Sequence, residues 1–279
     1  MGDSVNYFEI GSPDPAASTA FYGGLFGWEV QDQMPPGSGS HYFAARIGGE
    51  DAAAISSVPE GAPEMATWNT YVWVESADAS AERVVASGGP VLSAPFDVFD
   101  AGRMAVCRDP EGAVFSVWEA RRHRGAAVVN EHGGVNFNGL DTRDLEGAKA
   151  FYGAVFGWTT LAVGDEFTAW ALPGYGDFLE EINPGTRERN AAMGAPEGFE
   201  DVVASVMVLG DDQPDTPPHW NVTFGVDDAD AAAEQASALG GTVLAGPLDA
   251  PWVRMAVIAD PQGATFVASQ FVPETGGGQ

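Results

Sequence analysis

The chain has 279 residues, and its 40 acidic side chains against 12 basic ones give a formal charge of −28. Such a surface repels phosphate backbones and anionic lipid, which excludes nucleic-acid and membrane-surface roles. A composition 45% apolar and 11% aromatic marks a folded chain, long enough for two domains with cores of their own.

Val5–Ile10 reads as a strand. Pro13-Asp14-Pro15 ends it and opens a helix, with Asp14 or Ser12 at the cap. Ala16, Ala20, Phe21 and Leu25 give that helix an apolar stripe, and Gly27 lets the chain turn after it. Strands follow at Glu29–Gln31, at His41–Ile47 beyond a Pro/Gly/Ser loop at 35–40, and at Ala52–Val58 across the hairpin signal Gly48-Gly49. The plan is β-α-β-β-β. After a Pro/Gly/Glu bridge at 59–64 it begins again. Trp68–Val74 is a strand, Ser76–Ser87 a helix closed by Gly88-Gly89, and Val91-Leu92 starts the next strand. Arg103–Cys107 and Ala113–Trp118 form a hairpin across Asp109-Pro110-Glu111-Gly112, where proline presets one dihedral and glycine accepts a positive one.

The second half repeats the first. Asp14, Phe21-Tyr22-Gly23 and Phe26-Gly27-Trp28 return 130 residues later as Asp144, Phe151-Tyr152-Gly153 and Phe156-Gly157-Trp158. Trp68-Asn69 returns as Trp220-Asn221, 152 residues on, and Arg103-Met104-Ala105-Val106 as Arg254-Met255-Ala256-Val257, 151 residues on. Asp109-Pro110-Glu111-Gly112 becomes Asp260-Pro261-Gln262-Gly263. Repeats of this kind fix the domain count. The domains are 1–120 and 134–273, joined by a linker at 121–133 that carries the basic island Arg121–Arg124. The change of offset places about 22 extra residues between Trp158 and Trp220, in an insertion at about 174–218. Phe178, Leu179, Ile182, Met193 and Phe199 are its apolar anchors, and it is either a lid or a longer surface excursion. The Gly-rich tail Thr275–Gln279 is expected to fray.

No apolar run approaches the roughly 18–20 residues of a membrane helix. The segment Met1–Asn6 lacks the basic and apolar regions of a signal peptide, so a cytoplasmic protein is expected. The one cysteine, Cys107, excludes an intramolecular disulfide framework and reads as a buried bystander.

These motifs, in order and twice over, resemble the vicinal-oxygen-chelate superfamily of glyoxalase I, bleomycin-resistance proteins and extradiol dioxygenases. The chain is most similar to two-domain glyoxalase-like proteins of actinobacteria. The resemblance implies an α+β fold. Four βαβββ modules pair into two tandem domains, each a U-shaped mixed sheet around a cleft with helices outside. It also implies metal ligands at three places per domain: seven residues before the helix-opening Asp, on the first strand of the second module, and seven residues past the Asp of the late Asp-Pro turn. Here those places hold Tyr7, Asn69 and Ser116, then Phe137, Asn221 and Val267. A divalent site needs converging imidazoles or carboxylates, and Phe137 and Val267 cannot ligate at all. No metal and no other cofactor is therefore expected. The four histidines, His41, His123, His132 and His219, form no ligand cluster in sequence. No Gly-x-Gly-x-x-Gly or Walker-type loop appears.

Strand parity says what shares a face with the ligand positions. In the first domain these are Glu9 beside Tyr7, Tyr71 and Trp73 beside Asn69, and Trp118 beside Ser116. Phe8, Ile10, Val72, Val74, Phe115 and Val117 face the helices. In the second domain the face shows Val135, Phe137, Gly139, Asn221, Thr223, Gly225, Thr265, Val267 and Ser269. Aromatic walls with few polar fixings suit a flat, partly apolar small molecule, although aromatic strand residues also serve as ordinary core. The sequence thus points to metal-free binding of an aromatic or amphipathic metabolite or antibiotic by Tyr7, Glu9, Asn69, Tyr71, Trp73, Ser116, Trp118, Phe137, Asn221 and Thr223. The alternative is an isomerase, lyase or hydroxylase with Glu9 as acid/base and Tyr7 and Asn69 orienting the substrate. A third reading is a pure interaction protein with both clefts closed. Arg103 and Arg254 either bind an anionic group in a cleft or pair with the acidic surface. One chain suffices for four modules, and a homodimer is compatible.

Overall fold

A computed structural model describes residues 3–58, 65–163 and 167–272. The bridge at 59–64 and the tail Thr275–Gln279 lie outside the described residues.

The first module is β1 (Ser4–Ser12), α1 (Pro15–Phe26), β2 (Glu29–Asp32), β3 (Tyr42–Ile47) and β4 (Glu50–Ser57). The second is β5 (Thr67–Trp73), α2 (Ala77–Ala86), β6 (Val91–Val98), β7 (Gly102–Arg108) and β8 (Val114–Ala120). The third is β9 (Val135–Thr142), α3 (Leu145–Phe156), β10 (Thr159–Val163), β11 (Phe167–Ala171), two added helices α4 (Tyr175–Ile182) and α5 (Thr186–Ala192), and β12 (Val202–Val208). The fourth is β13 (His219–Gly225), α6 (Ala229–Ala238), β14 (Thr242–Ala250), β15 (Val253–Ala259) and β16 (Thr265–Phe271). The strands form two mixed eight-stranded sheets, in the orders β2-β3-β4-β1-β5-β8-β7-β6 and β10-β11-β12-β9-β13-β16-β15-β14. In each module the first and last strands run parallel and the other neighbours antiparallel. The expected α+β architecture of four βαβββ modules is what the chain forms.

The Asp…Phe-Tyr-Gly…Phe-Gly-Trp motif is one local machine. Asp14 Oδ1 accepts the Ala17 N–H at 3.0 Å and Asp144 Oδ1 the Gly147 N–H at 2.9 Å, which satisfies orphan donors at the helix start. Gly27 (φ +70°) and Gly157 (φ +74°) end the helices in the left-handed region, where a side chain is penalised. That reversal brings Trp28 back to stack on Tyr22 at 5.5 Å, and Trp158 on Tyr152 at 5.7 Å.

The sequence halves coincide with the sheets, but packing divides the chain differently. One compact unit joins Thr70–Arg124 to Phe137–Trp220; the other joins Tyr7–Asn69 to Gly125–Asn136 and Asn221–Gln279. In the first, Phe115 packs on Phe151, Tyr152 and Phe156, and Arg83 Nε donates to the Val155 carbonyl at 2.7 Å. In the second, Phe266 meets Phe21, Tyr22 and Phe26, while Phe8 sits edge-on to Phe224 at 5.5 Å. Each large ring buried this way contributes about 1.5–3 kcal/mol.

Between 174 and 218 the structure places α4, α5 and then β12, which is the module's own last strand. Arg187 spans Asp177 (2.6 Å) and Glu200 (2.9 Å), and Asp201 accepts the Gly176 N–H at 2.7 Å. Ile182 and Met193, expected as apolar anchors, are exposed. Phe178, Leu179 and Phe199 are half-buried as expected, so apolar contact and polar ties share the anchoring. Tyr175 instead packs against the core. Cys107 is fully buried, and burial pushes its thiol up to about 11, consistent with an inert core position.

Candidate functional site

The parity expectation holds on the helix-facing side. Phe8, Ile10, Val72 and Val117 are fully buried, and Phe115 and Val74 nearly so. The other face is described unit by unit.

In the unit that carries β5 to β8, the register sets Tyr71 opposite Ser116 and Trp73 opposite Trp118. Tyr71 and Trp118 touch edge to face at 6.4 Å. The Trp118 Nε1–H donates to the His123 carbonyl at 3.0 Å, so the indole is held at both ends. Gly102 is required beneath it, because a Cβ there would lie 2.4 Å from the ring. Tyr71, Ser116 and Trp118 are buried and Trp73 is half-buried. The same face continues through Met104, opposite Trp118, and Phe96, opposite Met104; Phe96 is exposed. Parity on Arg103–Cys107 could have found Met104. Phe96 was hidden by two register shifts in β6. Phe137 is half-buried on β9, with its face-neighbour Gly139 opposite Ser205.

In the other unit, Tyr7 is buried and Glu9 half-buried on β1. Burial drives the Tyr7 phenol far above its ordinary range, opposed by a hydrogen bond with Tyr42 and reinforced by the Glu9 and Asp51 carboxylates. Ser56 Oγ donates to Glu9 Oε1 at 2.7 Å, and Arg46 Nε donates to Asp51 Oδ1 at 2.8 Å. Tyr42, Ser56 and Arg46 lie outside the expected set, since only the parallel pairing of β1 with β4 and the antiparallel pairing of β4 with β3 bring them near. Asn69 is half-buried over Gly11, where a Cβ would stand 3.9 Å from its Nδ2. On the fourth module Thr223 lies opposite Val267, and Gly225 opposite Ser269, with Asn221 half-buried two residues before Thr223. Met255, opposite Ser269 and Leu248, repeats the place of Met104.

The residues at the ligand positions do not fit a metal. The Tyr7 phenol is buried and hydrogen-bonded with Tyr42 and is neither imidazole nor carboxylate, an amide and a hydroxyl are weak donors, and Phe137 and Val267 have none. Among the described residues no three His, Cys, Asp or Glu side chains are grouped to hold a metal ion. The histidines are scattered: His41 pairs with Asp32 at 2.6 Å, His219 lies 3.4 Å from Asp141, and His132 Nδ1 accepts the Asp227 N–H. The arginine alternatives resolve toward the acidic surface. Arg103 binds both Asp78 oxygens (2.6 and 2.9 Å) and Asp97, and Arg254 binds Asp230 and Asp249 in the same way. In the basic island, Arg121 and Arg122 are likewise paired, with Asp97 and Asp100.

Among known proteins, residues 4–117 and 135–267 match the family model described as Glyoxalase/Bleomycin resistance protein/Dioxygenase superfamily. A putative glyoxylase, CFP32, of Mycobacterium bovis is 40% identical over 96% of this chain and 95% of its own length. The anthracycline biosynthesis protein DauV of a Streptomyces species is 35% identical, over 93% of this chain and 90% of its own. Among solved structures, the Mn(II)-bound glyoxalase of Novosphingobium aromaticivorans superposes with a TM-score of 0.60 at 15% identity, over 96% of this chain and 82% of its own. The 2,3-dioxygenase LapB of Pseudomonas sp. KL28 has the same TM-score at 11% identity, over 100% and 96%. These two likenesses concern the fold alone. Among the described residues no helix is long and apolar enough to cross a membrane.

Proposed function

Because the chain belongs to the Glyoxalase/Bleomycin resistance protein/Dioxygenase superfamily, we propose that it is a variant of that fold which binds a flat, partly apolar molecule without a metal. The observation that carries this reading is the donor set. All six family ligand positions lack imidazole and carboxylate, while Tyr71, Trp73 and Trp118 stand on the neighbouring positions of one face. Indole and phenol walls favour polycyclic aromatic ligands through stacking and apolar area. The Streptomyces relatives named for anthracycline biosynthesis support the same class. Sequestration of an antibiotic of this shape is the role we favour.

The test uses 1,4-dihydroxyanthraquinone as probe and tryptophan fluorescence as readout, together with elemental analysis of purified protein. Saturable quenching, well under one divalent ion per chain, and affinity two- to tenfold weaker in Trp73→Ala are expected. A stoichiometric, tightly held divalent ion or absence of quenching overturns the reading.

A second reading has one observation in its favour. Ser56 holds the Glu9 carboxylate near the buried Tyr7 phenol, a setting in which a carboxylate can act as general base. Glu9→Gln then lowers conversion of a bound ligand, followed by mass change, by roughly a hundredfold or more while binding persists. Unchanged conversion removes Glu9 from any mechanism.

A further inference from the structure

The linker is not slack. Val129 bridges Val135, the Asn130 N–H donates to the Val135 carbonyl at 2.8 Å, and the Gly133 and Gly225 amides bond across to Gly225 and Gly134 at 2.8 and 3.0 Å. The loop is thereby laced to the end of β13. Gly225 permits the approach, since a Cβ there would lie 2.7 Å from the Glu131 carbonyl. Between this loop and the ends of β13 and β16 lies a cavity of about 220 Å³. Drug-sized ligands occupy roughly 300–1,000 Å³, so this cavity holds one small ring and not a polycycle.

Its polar groups form a mixed set. Asn136 Nδ2 donates to Asn130 Oδ1 at 3.1 Å, which leaves the Asn130 amide as donor and the Asn136 oxygen as acceptor. Gln270 Oε1 takes the Ala229 N–H at 3.1 Å, leaving its amide as donor. His132 Nδ1 accepts the Asp227 N–H at 3.2 Å, so the neutral ring carries its proton on Nε2. Glu131 and Asp227 add two exposed carboxylates, and no lysine or arginine is among the lining residues. Phe271, 52% exposed, supplies an apolar face at the rim.

Amide donors beside carboxylate acceptors suit vicinal hydroxyls, each of which donates and accepts. Two carboxylates whose one basic neighbour in the lining is His132, 3.8 Å from Asp227, in a chain of charge −28, favour an ammonium ligand through charge-assisted bonds. The phenyl face serves either the C–H face of a saturated ring or the cation itself. We propose that this cavity binds an amino sugar. It shares no residue with the aromatic face of β5 and β8, so it stands or falls separately from the function proposed above.

The test is titration of ¹⁵N-labelled full-length protein with D-glucosamine, with D-glucose and methylammonium as half-matched controls. Saturable amide shifts confined to residues 130–136, 225–227 and 269–271 are expected. Binding should weaken about tenfold or more in Glu131→Gln/Asp227→Asn and for each control. Asn136→Ala, which leaves both carboxylates, should weaken glucosamine more than methylammonium. Melting temperatures verify that the variants fold. Shifts that fail to saturate below about 10 mM, shifts centred elsewhere, methylammonium binding as well as glucosamine, or unchanged affinity in the double variant overturns the proposal.

Discussion

Tyr22 and Tyr152 show how much one hydroxyl can join. Tyr22 Oη donates to Asp260 Oδ2 at 3.1 Å and accepts the Trp68 Nε1–H at 3.1 Å. Tyr152 repeats this with Asp109 (3.0 Å) and Trp220 (3.0 Å). All six groups are buried. Tyr152→Phe keeps the ring stacking but leaves an indole N–H and a carboxylate oxygen unpaired. A loss of about 1–3 kcal/mol is expected in chemical unfolding. Burial is also the leading cause that holds the Asp109 and Asp260 carboxyls above their ordinary range. The folded state therefore binds their protons more readily than the unfolded chain does. Their contribution is fully present below the usual carboxylate pKa of about 3.9 and is lost as pH rises through the raised values. Asp78 and Asp230 act oppositely: hydrogen bonds from Arg103 and Arg254 lower their pKa, so stability is lost as pH falls through those lowered values. Melting temperatures between about pH 2 and 6 separate the two, because Arg254→Gln weakens only the acid-side loss.

At the scale of elements, the late Asp-Pro turn and the Phe-Tyr-Gly helix are two halves of one lock. The Asp of each turn takes the tyrosine of a helix, and the residue after the proline takes that helix's N-terminus. Glu111 accepts the Arg143 and Asp144 N–H groups and the Thr142 hydroxyl. Gln262 Oε1 accepts from the Ser12 hydroxyl and the Asp14 N–H, while its Nε2 donates to the Asp14 carbonyl and the Ser18 hydroxyl. Gln262→Ala should cost about 1–3 kcal/mol and raise amide exchange in the first turn of α1 ahead of the rest of that helix. Equal protection in both proteins would show that the turn does not hold the helix. The motifs were legible in sequence and their recurrence was counted correctly. That the turn of one module grips the helix of another was not legible, because the partners lie 238 residues apart in one unit and 43 in the other.

For the whole molecule, each packed unit draws on both sequence halves. Separate expression of 1–124 therefore removes α3 from the face of Phe115 and Phe266 from the face of Phe21, Tyr22 and Phe26. Neither 1–124 nor 125–279 alone should unfold cooperatively, and mixing them should restore one cooperative transition. Cooperative melting of an isolated half would show that a sheet can stand without its cross-packed helices.

Local rules determined the elements outside the insertion, the double repeat, a first helix cap at Asp14 or Ser12 and the chemistry missing from the family ligand positions, because capping, left-handed glycines and donor atoms belong to single residues or short windows. Strand parity likewise gave the packed face of β1, β5 and β8. Only the tertiary structure decided that Ser56 meets Glu9 and Tyr42 meets Tyr7, and that Arg103 pairs with Asp78 and Asp97. It also revealed that the linker closes a small polar cavity. Each of those contacts depends on the pairing of strands or the seating of a loop, and pairing is set by the total burial of many rings at once, which no window of sequence contains.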